Sequence, residues 1–409
     1  METRGSFGGV AMGPEEQDAA ARQREWEEAA EAVAYDSCTR PPPIVVVCGP
    51  GNSGKSAFSR LLLNTLLERY KKVGYLDIDV GQPEFTPPGF VSLHVLEEQA
   101  KDFSMLYLRN PKRCYFFGDV CAKRNPALLL TYIFGLYNYF LKEFYCFSGV
   151  SDPEKSAIPL VINTSGWVKG TGLHVLSEML KNVSPTHVIR VSTTAEAKNL
   201  PGGIFWMDEY EDPEVNIIEI RAAQNSPRHL LVKKEARIIR DLRLIAYFRQ
   251  CLPRDFPIVH SDDLVQGFSS VQPFQLLLSK IQVIDQHCQV TTFTPLHLSR
   301  LYKFQTWLCG AASFVSGTDL YRFLNGTIVG LAASASSPLS TECSTPYCIG
   351  LGFITALDVS EGCIYLITPV SHKTMEEVDT IFQSYIAVPS CLLEVSDTLS
   401  YITDRLREL

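Results

Sequence analysis

A short glycine-rich segment, CGPGNSGKSAF at residues 48–58, constrains the fold of this chain more than any other feature. It matches the pattern G-x-x-x-x-G-K-[ST], with Gly49, Gly54, Lys55 and Ser56 at the four defined positions. The apolar run IVVV precedes it, and a run that favours a helix, KSAFSRLLLNTLLERYKK, follows it. A phosphate-binding loop requires this order of strand, loop and helix. The segment therefore predicts an α/β domain built around a phosphate site.

The residue types of this loop indicate which ligand it binds. Glycines allow backbone N–H groups to approach phosphate oxygens, and the N-terminus of the following helix adds positive potential. We expect Lys55 to bridge the β- and γ-phosphates of a nucleoside triphosphate, and the hydroxyl of Ser56 to bind Mg²⁺. The predicted nucleotide contacts are Gly49, Pro50, Gly51, Asn52, Ser53, Gly54, Lys55, Ser56 and Ala57.

The end of the second predicted strand, YLDIDVGQPEFTPPG at residues 75–89, carries two carboxylates. Asp77 and Asp79 alternate onto one face, and Asp79 lies at the carboxyl end of the strand, where ligands of open α/β sheets bind. Asp79 could accept the proton of an attacking hydroxyl or hold Mg²⁺. Gln82 could assist by hydrogen bonding. The alternatives are that the aspartates cap the next turn and that Gln82 is an ordinary loop residue.

A third segment, NTSGW at residues 163–167, follows the apolar run IPLVI. It is therefore expected at the same edge of the sheet. Thr164 offers a hydroxyl, Gly166 permits close backbone approach, and Trp167 could stack on a base of a nucleic-acid substrate. The alternative is a turn that carries a core tryptophan.

The net charge of -8 is unevenly distributed. Residues 1–40 contain nine acidic residues and four arginines, whereas residues 228–249 contain seven lysines or arginines and two acidic residues. Within this basic segment Arg237, Arg240 and Arg243 are spaced by three, so their side chains lie near one another on a helix. They could close over a transferring phosphoryl group and neutralise its charge. A solvated basic face is the alternative.

The composition and the position of the prolines predict that the chain has three parts. With 46% hydrophobic and 20% charged residues, the chain can bury a large core. Residues 1–40 read as an acidic mobile tail or an isolated surface helix, and three prolines at 41–43 mark its end. Short apolar runs alternate with helical runs over 41–260, which predicts a parallel sheet flanked by helices. Short β-rich pieces predict a smaller, mainly β domain over 261–409, including a hairpin at VSEG.

Several further classes of protein are disfavoured by the sequence. The most apolar stretch, residues 127–147, contains Asn138, Lys142 and Glu143, so we expect a buried helix and no contact with a membrane. The twelve cysteines include no C-x-x-C pair, so neither a disulfide framework nor a zinc site is predicted. No NKxD-like tetrapeptide follows the later strands, which argues against a GTPase. The residues alone leave water and an organic hydroxyl open as phosphoryl acceptors.

Four motifs in order, GPGNSGKS, DIDVGQPEFTPPG, NTSGWV and RDLRLIAYF, resemble those of the polynucleotide 5′-hydroxyl kinases. They are most similar to the nucleolar branch of that family, which acts in ribosomal-RNA processing. The resemblance covers roughly residues 41–260, and the β-rich remainder also looks like the C-terminal domain of that family. It implies a P-loop NTPase-type fold and a kinase that phosphorylates the 5′-hydroxyl end of RNA, or of DNA.

The resemblance also implies roles for particular residues. Lys55 and Ser56 would contact phosphate and Mg²⁺, and Asp79 would be the general base. Thr164 and Gly166 would form a clasp around the acceptor end. Arg240 and Arg243 would be lid arginines. The same resemblance implies ATP and Mg²⁺ as cofactors, an endonuclease partner in pre-rRNA processing, and a place in the nucleus and nucleolus.

Two other functions remain open at this point. The first is a catalytically weak, ATP-bound scaffold subunit of an RNA-processing complex, and the second is a kinase for a small metabolite. The coexistence of Lys55, Asp79 and the arginines argues against a scaffold, since a scaffold needs no general base. Transfer of phosphate to an oligonucleotide would separate the three.

Overall fold

Two β-sheets and the helices around them make up the part of the chain that the computed structural model describes. The described residues are 14–36, 41–99, 108–145, 157–207, 215–222, 229–287, 301–306, 312–316, 323–334, 345–358 and 360–395.

The first sheet is built around the strand that leads into the glycine-rich loop. Its strands are β1 (Ile44–Cys48), β2 (Val73–Asp77), β3 (Phe90–Leu96), β4 (Arg113–Phe116), β5 (Leu160–Asn163), β6 (His187–Ser192) and β7 (Asn216–Arg221). Their order across the sheet is β4-β3-β2-β5-β1-β6-β7. The five strands from β2 to β7 in this order are parallel, and β3 and β4 extend the sheet in antiparallel pairing.

Within the described ranges, six helices of eight or more residues accompany the strands. They are α1 (Pro14–Asp36), α2 (Lys55–Leu67), α3 (Pro126–Phe140), α4 (Thr171–Val183), α5 (His229–Phe248) and α6 (Ser261–Ser269). Alternate residues of β1 enter different cores: Val46 packs in the cluster that contains α3 and α4, and Val47 packs in the cluster that contains α2. Because β1 is covered on both faces, all five of its residues are buried, as its unbroken apolar run predicts.

The second sheet contains the other eight strands of the described residues. They are β8 (Phe274–Leu277), β9 (Gln282–Asp285), β10 (Leu301–Thr306), β11 (Ala312–Ser316), β12 (Ile328–Ala332), β13 (Cys348–Asp358), β14 (Cys363–Ile367) and β15 (Thr380–Gln383), and a short helix, α7 (His372–Met375), precedes the last strand. Their order is β11-β10-β9-β15-β12-β13-β14-β8. The predicted hairpin at VSEG is confirmed, since β13 pairs with β14 in antiparallel register.

The two sheets share a hydrophobic core, to which α5 contributes. Leu244 and Phe248 of α5 are fully buried with Phe116 of β4 and Phe353 of β13. The rings of Phe248 and Phe353 meet edge-on at a centroid distance of 6.5 Å. The helix with the predicted lid arginines is therefore held by both halves of the molecule.

The N-terminal segment differs from the expectation of a mobile tail. Residues 14–36 form α1, which buries Ala30 and Val33 against α2. The Trp26 ring meets Phe58 edge-on at 5.7 Å, and its indole N–H donates to the carbonyl of Arg221 (2.8 Å). Apart from Trp26, the buried residues of α1 are alanines and one valine, which allow close helix packing without a strong apolar stripe. Residues 1–13 and 37–40 lie outside the described residues.

The predicted fold class is confirmed: a mostly parallel α/β sheet flanked by helices is followed by a smaller, mainly β domain. Most of the apolar stretch at 127–147 belongs to α3, which ends at Phe140 and whose Tyr132, Ile133 and Leu136 are completely buried. Among the residues that the structure describes, none of the helices combines the length and apolar character needed to cross a bilayer.

We predict that Trp26→Ala lowers the free energy of unfolding by about 2 kcal/mol, because it removes a half-buried ring and its hydrogen bond. Thermal melting followed by circular dichroism measures the change. Glu28→Ala, on the exposed side of the same helix, is the matched control and should melt like the unaltered chain. Equal melting temperatures for all three proteins would show that α1 adds no stability.

Candidate functional site

The glycine-rich loop adopts a conformation that few other sequences could form. A Cβ atom on Gly49 would lie 2.4 Å from the carbonyl oxygen of Val191 on the neighbouring strand β6, so the backbone passes too close for a side chain. Gly54 has φ 93° at the N-cap of α2, and Asn52 has φ 61°. These left-handed residues turn the chain sharply into the helix, whose first N–H groups remain available for an anion.

Lys55 and Asp79 share one electrostatic environment at the end of this loop. Lys55 is 6% exposed, and its Nζ donates to the carbonyl of Pro50 (2.9 Å). Burial lowers the pKa of Lys55, and the negative charge of Asp79 raises it. Burial raises the pKa of Asp79, and the nearby charge of Lys55 lowers it most among the opposing causes. The two groups therefore lie close enough to stabilise each other's charged form.

The carboxylate of Asp79 is held by the turn that follows it. Its Oδ1 accepts backbone N–H groups from Gly81 (3.0 Å) and Gln82 (3.2 Å), which caps the turn after β2. Both bonds use one carboxylate oxygen, and the other makes no hydrogen bond to any described residue. The charge of Arg240 also lowers the pKa of Asp79. The turn holds the carboxylate in place between the loop lysine and α5.

Asn163, the first residue of the NTSGW segment but not one of its predicted site residues, connects the loop to Asp77 at the end of β2. It is fully buried at the end of β5. Its Nδ2 donates to Asp77 Oδ1 (3.1 Å) and to Ser56 Oγ (3.3 Å), and its Oδ1 accepts the hydroxyl of Ser59 (3.3 Å). The sequence did contain a signal for this role. An amide side chain follows the buried run IPLVI directly, and the second predicted strand ends in a carboxylate.

Asp77 supports the backbone of the loop after β2. Its carboxylate is completely buried and accepts the backbone N–H groups of Asp79 (3.2 Å) and Glu84 (2.6 Å). Burial raises the pKa of Asp77 to about 7, although these hydrogen bonds act in the opposite direction. Asp77 therefore fixes both ends of the loop that carries Asp79.

The structure separates the two predicted lid arginines. Arg243 is 7% exposed, and its Nη1 donates to the carbonyls of Pro83, Glu84 (2.8 Å) and Thr86 (3.3 Å). Arg240, one turn earlier, is half-buried and influences the charge of Asp79. Arg243 thus ties α5 to the loop after β2, whereas Arg240 is the arginine placed toward the carboxylate.

The residues of the predicted clasp, in the segment after β5, lie beside the glycine-rich loop. A Cβ on Gly166 would lie 2.4 Å from Cα of Gly51, so this glycine lets the two segments pack backbone to backbone. The hydroxyl of Thr164 is buried and donates to the carbonyl of Val47 (2.9 Å). Trp167 is half-buried with the ammonium of Lys123 5.6 Å from its ring centre, and Gln82 is exposed. Contacts of these four residues with a substrate stay a prediction.

Two family models match different parts of the chain. Residues 49–250 match the family model described as the mRNA cleavage and polyadenylation factor CLP1 P-loop. Residues 303–389 match the model described as the NOL9-like C-terminal domain. A protein of Arabidopsis thaliana named polynucleotide 5′-hydroxyl-kinase NOL9 is 40% identical over 379 residues, which cover 91% of this chain and 93% of that protein.

The chain belongs to the NOL9 family of polynucleotide 5′-hydroxyl kinases. This confirms the resemblance that the four motifs predicted. A human relative of the same name is 26% identical over 88% of this chain and 52% of its own length. A mouse relative is 25% identical over 89% of this chain and 50% of its own length. The chain thus spans nearly all of the plant relative and about half the length of these mammalian relatives.

A solved structure confirms the fold independently of close sequence similarity. The structure of a wild-type Clp1p–Pcf11p complex aligns with a TM-score of 0.57 at 14% identity, over 88% of this chain and 78% of the other. A second structure of these two proteins, which concerns ATP loss in a point mutant, aligns with the same score. At this identity the likeness extends to the fold alone.

We predict that Asn163→Ala destabilises the protein more at pH 8 than at pH 5.5, by about 1 kcal/mol. The pKa of Asp77 is about 7 in the folded state, above its ordinary value of 3.8. The stability that the neutral carboxyl allows at low pH is therefore lost as pH rises through 7. Losing the Asn163 donor costs more once Asp77 is charged. Melting temperatures across this range measure the difference.

Ser59→Ala is the matched control, because it removes a bond to the same asparagine but none to Asp77. Its destabilisation should not change with pH. The same pH dependence in both variants would contradict a direct effect of Asn163 on the charge of Asp77.

Proposed function

We propose that this chain is an ATP-dependent polynucleotide 5′-hydroxyl kinase, which transfers the γ-phosphoryl group of ATP to the 5′-hydroxyl end of RNA. The observation that carries the proposal is that Lys55 and Asp79 come together at one sheet edge, where Asn163 bonds both the Ser56 hydroxyl next to Lys55 and the Asp77 carboxylate that accepts the Asp79 N–H. A kinase needs these two groups side by side, since one holds the donor and the other activates the acceptor. The names of the relatives support the same reaction.

The loop and Lys55 would hold the triphosphate. Lys55 would exchange its bond to the Pro50 carbonyl for phosphate oxygens, and the N-terminal N–H groups of α2 would add further donors. Ser56 and Asp79 would bind Mg²⁺, whose preference for hard oxygen ligands their hydroxyl and carboxylate fit. Bound there, the ion would neutralise charge on the phosphates. Asn163 would keep the Ser56 hydroxyl in position.

Asp79 would also receive the proton of the 5′-hydroxyl as the new O–P bond forms and the bond to the leaving phosphate breaks. Its backbone hydrogen bonds from Gly81 and Gln82 fix its position without occupying both oxygens. Arg240 would neutralise charge on the transferring group. Arg243 would act by holding the loop, so it is a positioning residue and not a lid residue in our proposal.

The acceptor end would lie against the segment after β5. Gly166 lets this segment pack backbone to backbone on the glycine-rich loop, Trp167 offers a ring face for a base, and Gln82 offers an exposed amide. Thr164 would reach a substrate only if its hydroxyl left the Val47 carbonyl, so we place it as a support of the clasp.

The biological setting is proposed from the family. The NOL9 name of the relatives supports a role in ribosomal-RNA processing and a place in the nucleolus. A 5′-hydroxyl end of RNA is produced by endonuclease cleavage, so an endonuclease is the partner we propose. The Clp1p–Pcf11p complex, in which a protein of this fold assembles with a partner chain, supports the expectation of a partner.

We predict that Asp79→Asn lowers transfer from ATP to a 5′-hydroxyl RNA oligonucleotide by about 10²- to 10⁴-fold, because the amide cannot take the proton. The measurement uses radiolabelled ATP with Mg²⁺, and ATP affinity is determined separately. Asp255→Asn, an exposed aspartate on the same chain, should leave the rate unchanged.

The outcomes separate the alternatives. ATP binding without transfer by the unaltered chain would indicate a scaffold, and labelling of nucleosides but not oligonucleotides would indicate a small-metabolite kinase. Comparison of RNA and DNA oligonucleotides of the same sequence measures the preferred acceptor.

We predict that Arg240→Gln lowers the activity of the protein, whereas Arg243→Gln lowers its stability. Arg240→Gln should lower the transfer rate by about 10²- to 10³-fold with little change in melting temperature. Arg243→Gln should lower the free energy of unfolding by about 3 kcal/mol, because three carbonyls lose a charged donor. Arg237→Gln is the control, since that side chain is 70% exposed and makes an ion pair at 3.8 Å. Similar melting temperatures for all variants would contradict the anchoring role.

A further inference from the structure

A basic cavity lies where the two sheets meet, apart from the glycine-rich loop. Its volume is about 520 Å³, within the range of ligand sites. Its walls come from the end of the loop after β2, the segment 108–114, the end of α5, the start of β13 and the segment before and within α7. None of the residues that form the glycine-rich loop lines it. The cavity is therefore a separate feature of the molecule.

The charge of the cavity is positive although the chain is acidic overall. Arg109, Lys112 and Arg113 line it, and the lining residues include no aspartate or glutamate. The Arg113 guanidinium lies 5.0 Å from the ring centre of Tyr347, and that of Arg109 lies 5.7 Å from the ring centre of Phe85. Cations interleaved with aromatic rings are typical of sites that bind single-stranded nucleic acid.

A buried hydroxyl gives an independent indication of a ligand. Thr86 lines the cavity and is 2% exposed, and its Oγ1 makes no hydrogen bond to any described residue. Buried hydroxyls in proteins are nearly always paired, because leaving them unpaired costs free energy. A phosphate oxygen placed between Thr86 and the nearby cations would supply the missing partner.

A single loop of the chain, the one after β2, carries both Asp79 of the site and Thr86 of the cavity. Thr86 lies seven residues after Asp79, which is at most about 25 Å of extended chain. Arg243 holds the intervening segment by the carbonyls of Pro83, Glu84 and Thr86. A strand whose end is at Asp79 can therefore reach the cavity after a few nucleotides.

We propose that this cavity is a second polynucleotide subsite, which binds the phosphodiester backbone of the acceptor strand downstream of its 5′ end. The proposal rests on the function proposed above. Lys112 and Arg113 contact the backbone, and Thr86 donates to a phosphate oxygen. The subsite gives the enzyme affinity for a polymer, because an acceptor of one or two nucleotides does not extend this far.

The test measures binding of 3′-labelled RNA oligonucleotides with a 5′-hydroxyl, of 4 and 20 nucleotides, by fluorescence anisotropy over a range of salt concentrations. For Lys112→Ala/Arg113→Gln we expect about a tenfold weaker affinity for the 20-mer and a change of less than twofold for the 4-mer. The slope of log affinity against log salt should become shallower by about 1.4, since each phosphate contact on a single strand contributes about 0.7. Thr86→Val should weaken the affinity for the 20-mer by a smaller factor than the double variant does.

Lys142→Ala/Lys181→Ala is the matched control, because it removes two exposed lysines that do not line the cavity. It should keep the affinity of the unaltered chain for both oligonucleotides. Melting temperatures check folding, and if the double variant melts early, Lys112→Ala alone gives the test, since that side chain is exposed.

Three results would overturn the subsite: an unchanged salt slope, an equal loss for the 4-mer and the 20-mer, or no RNA binding by the unaltered chain. Titration with pyrophosphate separates the two sources of phosphate. If the double variant no longer binds pyrophosphate but binds the 20-mer with unchanged affinity, the cavity binds a small phosphorylated molecule. The polynucleotide proposal then fails. Binding of the 20-mer without phosphoryl transfer would refute the proposed kinase function, while the salt slope would still decide the subsite.

Discussion

The buried amide of Asn163 is the interaction on which the arrangement of the site depends. It joins three chain segments that are far apart in sequence, the start of α2, the end of β2 and the end of β5. Since β5 lies between β1 and β2, a residue at its end reaches both the Ser56 hydroxyl and the Asp77 carboxylate. Asp77 in turn holds the backbone on either side of Asp79. The position of Asp79 relative to the phosphate loop follows from this chain of hydrogen bonds.

Local sequence predicted the features that depend on backbone conformation and burial. The loop at Gly49 to Ser56, the strand before it and the helix after it follow from glycine placement and from an apolar run, which are local properties. In the first sheet, no apolar run was singled out at β3, β4 or β7. These are edge or antiparallel additions, and their side chains do not form the unbroken apolar runs that mark a central parallel strand.

The features that the sequence did not predict depend on long-range partners. Arg240 and Arg243 have the same charge and lie one turn apart, and only the carbonyls of a loop some 160 residues away distinguish their roles. The docking of α1 was missed because alanine and valine form its contact face, and their packing depends on the surface that α2 presents. The acidic charge of that helix is balanced in part by Arg221, whose side chain pairs with Glu25.

The two attachments of α5 determine how this helix can move. Its C-terminal half is immobilised by Leu244 and Phe248 in the core between the sheets, and Arg243 fastens it to the segment after β2. A movement of Arg240 that leaves both sheets undisturbed would therefore require the helix to bend on the N-terminal side of Arg243. A rigid swing of the whole helix would instead open the shared core and displace Asp79 at the same time.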